Sequence, residues 1–585
     1  MKHSHSSISF CLVLLLANLS VALGQISFTE VGLQLGVNHD FDGTNPGGGV
    51  SFFDFDKDGW DDLTFATEFG EQIFFYRNVQ GTHFQRIWPS PIADISHQMH
   101  ILWVDYDNDG DMDLYFTAEG PNRLFRNEGA LQMVEVTAEA GLPLEDFSSY
   151  GAAWADYDRD GWLDLYWVDR GTFNGQDLAN RLYRNQGDGT FVETTFTTGA
   201  RDPFKAPWCV GFLDYNNDLW PDIYVAQDKL KSNTMLRNLQ NGTFTDASLF
   251  SGTAIQMKAM SVTVGDYDNN GDFDIYVTNT AEGNVLLKNQ NGMYMEVASQ
   301  AGVEFFGNSW GAVFTDVDND GDQDLYVSGS DIGYDPVSRS AAMYENLGDG
   351  TFAIVETGLE GDTVLSHANA TGDFNHDGYP DLVESNTFPY PSFLFQNNGG
   401  SNHWINIGLQ GVWSNRDGIG TRIDLYAGGN TYHRFTQCGI GFQGQNGFGE
   451  LFGLGSQTNI DSVVLSWPSG LTNTHYDLSI DRAHILIEDT TSLATSIAAD
   501  SWVKAVDVFP NPVTQTLNWH IQLAQSQAIS LRLRDMQGRE IWFAPAVLPA
   551  LESRGTLDMS SLPAGCYLLE IHAVDGQRYY HQVLK

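Results

Sequence analysis

Asp54-Phe55-Asp56-Lys57-Asp58-Gly59-Trp60-Asp61-Asp62 runs directly into the apolar Leu63. Acids at positions one, three, five and nine frame a glycine at position six. The pattern returns, as acidic or amide variants, at Asp54, Asp105, Asp156, Asp214, Asp266, Asp316 and Asp373, with starts 51, 51, 58, 52, 50 and 57 residues apart. A second motif trails each copy: Phe75-Tyr76-Arg77-Asn78, Leu124-Phe125-Arg126-Asn127, Leu182-Tyr183-Arg184-Asn185, Met235-Leu236-Arg237-Asn238, Leu286-Leu287-Lys288-Asn289, Met343-Tyr344-Glu345-Asn346 and Leu394-Phe395-Gln396-Asn397. Several units continue through Gly-Asp-Gly-Thr-Phe, as at 187–191 and 348–352. Self-similarity at this period marks a repeat architecture.

Each unit reads as four short strands with tight turns. One strand leads into the acidic loop, as Ala152-Ala153-Trp154-Ala155 does, and a second leaves it through Leu165-Tyr166-Trp167-Val168. The Leu-Tyr-Arg-Asn element forms a third, and Thr-Phe opens a fourth across a glycine turn. Seven such units predict an all-β fold built on a seven-bladed β-propeller, which leaves only short edges. The seventh unit lacks its own Thr-Phe strand, and Ser27-Phe28-Thr29-Glu30-Val31 at the start of the mature chain has that character. The N-terminal strand is therefore expected to complete the last blade and close the ring; an open solenoid is the alternative.

The loops have the chemistry of hard-cation sites. The candidate ligands are Asp54, Asp56, Asp58 and Asp62; Asp105, Asp107, Asp109 and Asp113; Asp156, Asp158, Asp160 and Asp164; Asp214, Asn216, Asp218 and Asp222. They continue with Asp266, Asp268, Asn270 and Asp274; Asp316, Asp318, Asp320 and Asp324; Asp373, Asn375, Asp377 and Asp381. Oxygen donors converging in a flexible loop suit calcium better than magnesium, which demands stricter octahedral geometry. The absence of His and Cys from these positions makes zinc and copper poor candidates. Crowding 25 carboxylates into seven loops is unfavourable without counter-cations. Metal-free Asx-turns are the bland alternative. Up to seven calcium ions are expected. The fourth loop should be the weakest, because Leu219 replaces the glycine and resists positive φ.

On these motifs residues 27–400 resemble the FG-GAP/VCBS repeat family. That resemblance implies a seven-bladed propeller whose calcium orders the blades. It does not carry a ligand or an activity.

The rest of the chain adds an address and a second unit. Met1-Lys2-His3, the apolar Ile8–Leu16 stretch and Ala22-Leu23-Gly24 describe a signal peptide over residues 1–24. The propeller is placed at 25–400. From 401 to 489, Asn402-His403-Trp404, Ser414–Arg422, Leu451-Phe452-Gly453-Leu454-Gly455 and Ser466-Trp467-Pro468-Ser469-Gly470 are similar to the ASPIC/UnbV domain of cartilage acidic protein-like chains. Arg416, Asp417 and Arg422 there suggest either an ion-pair network or a contact site. A Ser/Thr/Ala-rich linker over 490–505 precedes a small β-sandwich over 506–585. Pro510-Asn511-Pro512, Asp535-Met536-Gln537-Gly538 and Leu562-Pro563-Ala564-Gly565-Cys566-Tyr567 in that sandwich resemble the C-terminal sorting domain of the type IX secretion system of Bacteroidota. This implies passage through that machinery to the outer surface or the medium.

Lys and Arg total 29 against 75 Asp and Glu, a net charge of −46. That excludes a basic nucleic-acid grip and argues against docking on anionic lipid. No segment is long enough to span a membrane. The mature cysteines Cys209, Cys438 and Cys566 do not form a disulfide framework. Gly307-Asn308-Ser309-Trp310-Gly311 mimics a nucleophile elbow without the helix that should follow. Gly439-Ile440-Gly441-Phe442-Gln443-Gly444 reads as a chance dinucleotide fingerprint in a Gly-rich sheet. His97 and His100 read as ordinary strand histidines more readily than as transition-metal ligands facing the axis. The function expected is a secreted or surface calcium-binding module for an extracellular protein or glycan; the alternative is a secreted enzyme using the propeller channel.

Overall fold

The computed structural model describes residues 26–585 apart from 42–47, 91, 146–147, 171, 174–175, 178–179, 203–204, 330–340, 360–363, 448, 491–502, 510–512, 514, 536–539, 545–549, 561, 563–565 and 574–577. The expected signal peptide lies outside the described residues, as do most of the linker, the Pro510–Pro512 opening, the turn at 536–539 and Pro563–Gly565. No described helix is long and apolar enough to cross a membrane.

The fold is β throughout. Four antiparallel strands underlie each of the seven sheets built from residues 28–397, and the first sheet gains a fifth, parallel strand from Gly444–Gln445. In the third, Ser149–Ala155, Asp164–Asp169, Arg181–Asn185 and Phe191–Glu193 lie side by side in chain order. Burial falls along that order. Asp164–Asp169 is buried at every residue, whereas in Phe191–Glu193 only the leading Phe191 is. A strand covered on both faces reads as a continuous apolar run, and an outer strand keeps one anchoring side chain. The acidic loop always joins the first strand to the second. It therefore sits at the same end of every sheet.

The seventh sheet is completed from the other end of the chain. Phe28–Glu30 pairs antiparallel with Phe393–Asn397, with Phe28 opposite Asn397 and Glu30 opposite Phe395. Beside them run Asp381–Asn386 and Ser366–Gly372. The expected N-terminal clasp is thus present.

Residues 403–487 form a second unit. A three-stranded sheet (Glu450–Gly455, His403–Gln410, Arg482–Ile487) faces a four-stranded one (Asn430–Phe435, Arg422–Ala427, Ser462–Ser466, Thr472–His475). Trp467, Ile405, Ile423 and Leu465 pack between them, all fully buried. The C-terminal unit likewise has a three-stranded and a four-stranded sheet around Leu517, Ile521, Leu533 and Leu569.

Candidate metal loops and the plug between the sheets

Position one of each loop works as a local scaffold. Asp54 accepts the backbone N–H groups of Asp58 (3.1 Å) and Gly59 (2.9 Å), and Asp156 accepts those of Asp160 (2.9 Å) and Gly161 (2.8 Å). Position nine ties the loop to its own third strand. The N–H groups of Asn78, Asn127, Asn185, Asn238, Asn289, Asn346 and Asn397 donate to Asp62, Asp113, Asp164, Asp222, Asp274, Asp324 and Asp381 at 2.6–2.8 Å. Positions one and nine are buried, save a half-buried Asp54; positions three and five are half-buried or exposed.

Five loops bring three carboxylates within 4.8 Å of one another: Asp54, Asp56 and Asp58; Asp105, Asp107 and Asp113; Asp156, Asp158 and Asp164; Asp266, Asp268 and Asp274; Asp316, Asp318 and Asp320. Asp109, Asp160 and Asn270 hold position five beside three of these groups. The loops starting at Asp214 and Asp373 form no such group among the described residues. Their position three is an amide, and Asn216 and Asn375 donate to Asp218 (2.9 Å) and Asp377 (2.8 Å).

These carboxylates are held far from their ordinary range. Burial, reinforced by neighbouring acids, raises Asp62 to about 9 and Asp105 to about 8. It raises Asp373 to about 7 and Asp54, Asp214 and Asp266 to about 6. Asp164, Asp274, Asp324 and Asp381 are driven well above the usual value, burial again being the first cause. Asp62 Oδ2, Asp105 Oδ1, Asp158 Oδ1 and Asp268 Oδ1 are buried with no hydrogen-bond partner. Buried carboxyl oxygens left without a partner fit a bound cation, which would hold them ionised. On the outer side Arg77, Arg184 and Lys288 pair with the position-three acids Asp56 (2.5 Å), Asp158 (2.6 Å) and Asp268 (2.5 Å).

In the fourth loop a leucine stands where the other six have glycine. Leu219 adopts φ +65° and its N–H still reaches Asp214 at 2.8 Å, so the backbone is not distorted. The misfit is retained as left-handed strain in a residue with a bulky side chain. Position four is also left-handed in all seven loops, at Lys57, Asn108, Arg159, Asn217, Asn269, Asn319 and His376. The sequence reading assigned that position no role. Its side chains bridge to the next loop: Asn108 to the Gly161 carbonyl (3.0 Å), Asn319 to the Gly378 carbonyl (2.8 Å), His376 stacked on Trp60 at 3.8 Å.

The second unit sits on this acidic end. Gly453 N–H donates to Asp316 (3.1 Å), Arg416 N–H to Asn108 (2.8 Å) and Arg422 to the Gly271 carbonyl (2.9 Å). Lys57 pairs with Asp417 at 3.6 Å, and Arg159 donates to the Pro468 carbonyl. Arg416, Asp417 and Arg422 therefore serve an intramolecular contact.

From this unit the segment Gln437–Gly447 runs among the first strands of all seven sheets. Val50 N–H donates to Gln443 (3.1 Å), Gln445 to the Trp103 carbonyl (2.7 Å), Trp154 N–H to Cys438 (2.9 Å) and Gln437 to Phe212 (2.6 Å). Gly441 N–H reaches Val262 (2.7 Å), Phe442 packs on Trp310 at 4.9 Å, and Gly447 N–H reaches Thr371 (2.8 Å). The Gly-x-Gly run at 439–444 is thus no nucleotide loop; its end, Gly444–Gln445, pairs in parallel with Val50 and Ser51 as a fifth strand of the first sheet. A Cβ on Gly439 would lie 2.3 Å from the Ala152 carbonyl, and one on Gly444 2.4 Å from that of Asn369. Only glycine permits that approach. His100 lies on the inner face against this plug, and Ser309 is buried with its hydroxyl bonded to the Asn279 carbonyl at 2.8 Å.

Comparison with known proteins matches the FG-GAP-like repeat family over residues 54–116, 105–167, 172–225 and 214–277. The ASPIC and UnbV family matches 411–493, and the secretion system C-terminal sorting domain matches 507–585. Cartilage acidic protein 1 of Xenopus tropicalis is 24% identical over 331 residues, which is 52% of this chain and 43% of that relative, so the chain spans less than half of the relative's length. Among solved structures, an Agrocybe aegerita lectin recognising non-reducing terminal N-acetylglucosamine covers 56% of this chain and 84% of its own, at 18% identity and TM-score 0.37. The V. cholerae biofilm matrix protein Bap1 covers 85% and 83%, at 12% identity and TM-score 0.31. Likenesses that slight bear on neither fold detail nor function.

Proposed function

From a chain that carries FG-GAP-like repeats, an ASPIC and UnbV segment and a secretion-system sorting domain, and so is a secreted or outer-surface protein, we propose a calcium-ordered recognition module. Its seven sheets are the blades of one closed propeller. A single repeated contact supports closure: the third-strand Asn side chain donates to a carbonyl in the preceding sheet's acidic loop. Asn185 reaches Tyr106, Asn238 reaches Tyr157, Asn289 reaches Tyr215, Asn346 reaches Tyr267 and Asn397 reaches Val317, all at 2.7–2.9 Å. Asn78 of the first sheet makes the same bond, at 2.8 Å, to Phe374 of the seventh.

Calcium is the reading that the orphan carboxylate oxygens favour. The ion would be held by positions one, three, five and nine of the loops, with the position-seven carbonyl, and its charge would offset the buried acids. It orders the seat on which the second unit rests. Gln437–Gly447 occupies the axis, and recognition falls to the open end of the sheets away from the acidic loops. Phe69, Leu230 and Phe388 stand exposed there on the turns between second and third strands, at 79%, 59% and 56%. An extracellular protein or glycan is the expected partner.

The test is binding of the full secreted chain to arrays of surface polysaccharides and extracellular proteins, with calcium and then with chelator, alongside metal analysis. Calcium-dependent capture by one class supports the module. A folded chain that binds no calcium sinks the metal assignment, and a calcium-loaded chain silent across both arrays sinks the recognition role.

A further inference from the structure

We infer that His100 is a proton-operated latch for the plug: its neutral ring clasps the axis segment, and acidification releases Gln437–Gly447 from between the sheets. The argument begins with the two ring nitrogens. His100 is fully buried in the first strand of the second sheet. Its Nδ1 lies 3.2 Å from the Ala152 N–H, on the first strand of the third sheet, and its Nε2 lies 3.0 Å from the Gly444 carbonyl, in the plug. A backbone N–H only donates and a carbonyl only accepts, so one tautomer satisfies both: Nδ1 accepts and Nε2–H donates. The imidazole thereby joins two sheets and the plug through a single neutral form.

A second proton on the ring breaks this arrangement. Nδ1–H would face the Ala152 N–H, donor against donor, and a positive charge would stand in a dry interior. The strand beneath the ring is anchored as well: the His100 backbone N–H donates to Thr117 Oγ1 (3.1 Å), which itself donates to the Tyr150 carbonyl (3.0 Å). Burial lowers His100 to about 4, with the Gly444 carbonyl opposing the shift. No carboxylate contributes to that shift. Other titratable groups along the plug are the thiols of Cys209, raised by burial to about 12, and Cys438, raised further, with Asp417 near it; His367, lowered by burial to about 3; Asp61, whose carboxylate lies beside Gly447; and Asp316, Asp373, His433, Arg434 and Glu450, the last raised by burial to about 7, which line a cavity against Gln437–Gly441 and Gly447. None of these supplies a counter-charge to His100.

Release is readable at two buried thiols. Cys438 lies in the plug, Cys209 donates to the plug's Gly441 carbonyl, and both are buried. The experiment uses the full calcium-loaded chain and a pyridyl disulfide reagent, with labelling located by mass at Cys209 and Cys438 and normalised to a free thiol at each pH. Between about pH 7 and pH 4 the wild-type rate is expected to rise at least ~10-fold, with far-UV circular dichroism unchanged. His100→Gln supplies an acceptor and a donor but does not titrate, so it should label slowly at both values. His100→Phe should label fast at both. A wild-type rate independent of pH overturns the latch. So does a His100→Gln rate that rises as the wild type does, which would move the effect to the loop carboxylates, or loss of the dichroism together with the labelling.

Discussion

At the residue scale, the asparagine of the second motif does more than its place in a consensus suggests. In Asn185 the backbone N–H holds Asp164, the side-chain amide spans the Tyr106 and Leu163 carbonyls at 2.8 and 3.1 Å, and Oδ1 takes the Gly187 N–H at 3.0 Å. Asn185→Ala removes this partner from two buried carbonyls and a half-buried N–H, and a loss of about 2–3 kcal/mol is expected in denaturant titration. Leu219 offers the opposite test. Removing left-handed strain, Leu219→Gly should stabilise the protein by about 1 kcal/mol and strengthen any metal bound in the fourth loop; an unchanged or lower midpoint would show the strain to be absent. The acids and glycines of the loops were legible in the sequence because their roles depend on spacing within nine residues. The position-four bridge was not, since Lys57, Asn108, Arg159 and His376 share a backbone conformation rather than a chemistry.

At the scale of elements, the four-strand repeat and the N-terminal clasp follow from periodicity and from one missing strand. A chain lacking residues 26–31 would expose the Phe393–Asn397 edge and lose the buried Phe28 and Val31. Its melting temperature should fall by several degrees, and edge-to-edge association should appear in size-exclusion chromatography. The plug was illegible for a physical reason. Its partners are mostly carbonyls and N–H groups of distant strands, as in the Val50 N–H bonded to the Gln443 carbonyl, and such groups look alike in every sequence. Its glycines signalled only close approach, without saying to what. Gly444→Ala, placing a methyl group against the Asn369 carbonyl, should displace the segment and expose Cys438 to labelling at neutral pH.

For the whole molecule, the electrostatics set a sign. Without metal, Asp54 near 6, Asp373 near 7 and Asp62 near 9 are raised above their unfolded values. Such groups stabilise the fold fully below the unfolded carboxylate range, and that contribution is lost as pH rises through the folded values. In chelator the melting temperature should therefore drop between about pH 5 and pH 9; with calcium the ionised loops become ligands and the drop should vanish. A chelated protein whose melting is flat across that range would show the loops to be relaxed rather than charged. The clasp adds a constraint in time. Phe28 waits for Asn397, and Val50 waits for Gly444, so the first strands of the chain are paired only by segments made much later. At roughly 5–20 residues per second, the N-terminal strand spends on the order of a minute or less without its partner. High contact order of this kind slows folding. Until residues 393–447 are made, the edge of Phe28–Glu30 and the inner strands around the plug stand open, and the chain depends on late synthesis to cover them.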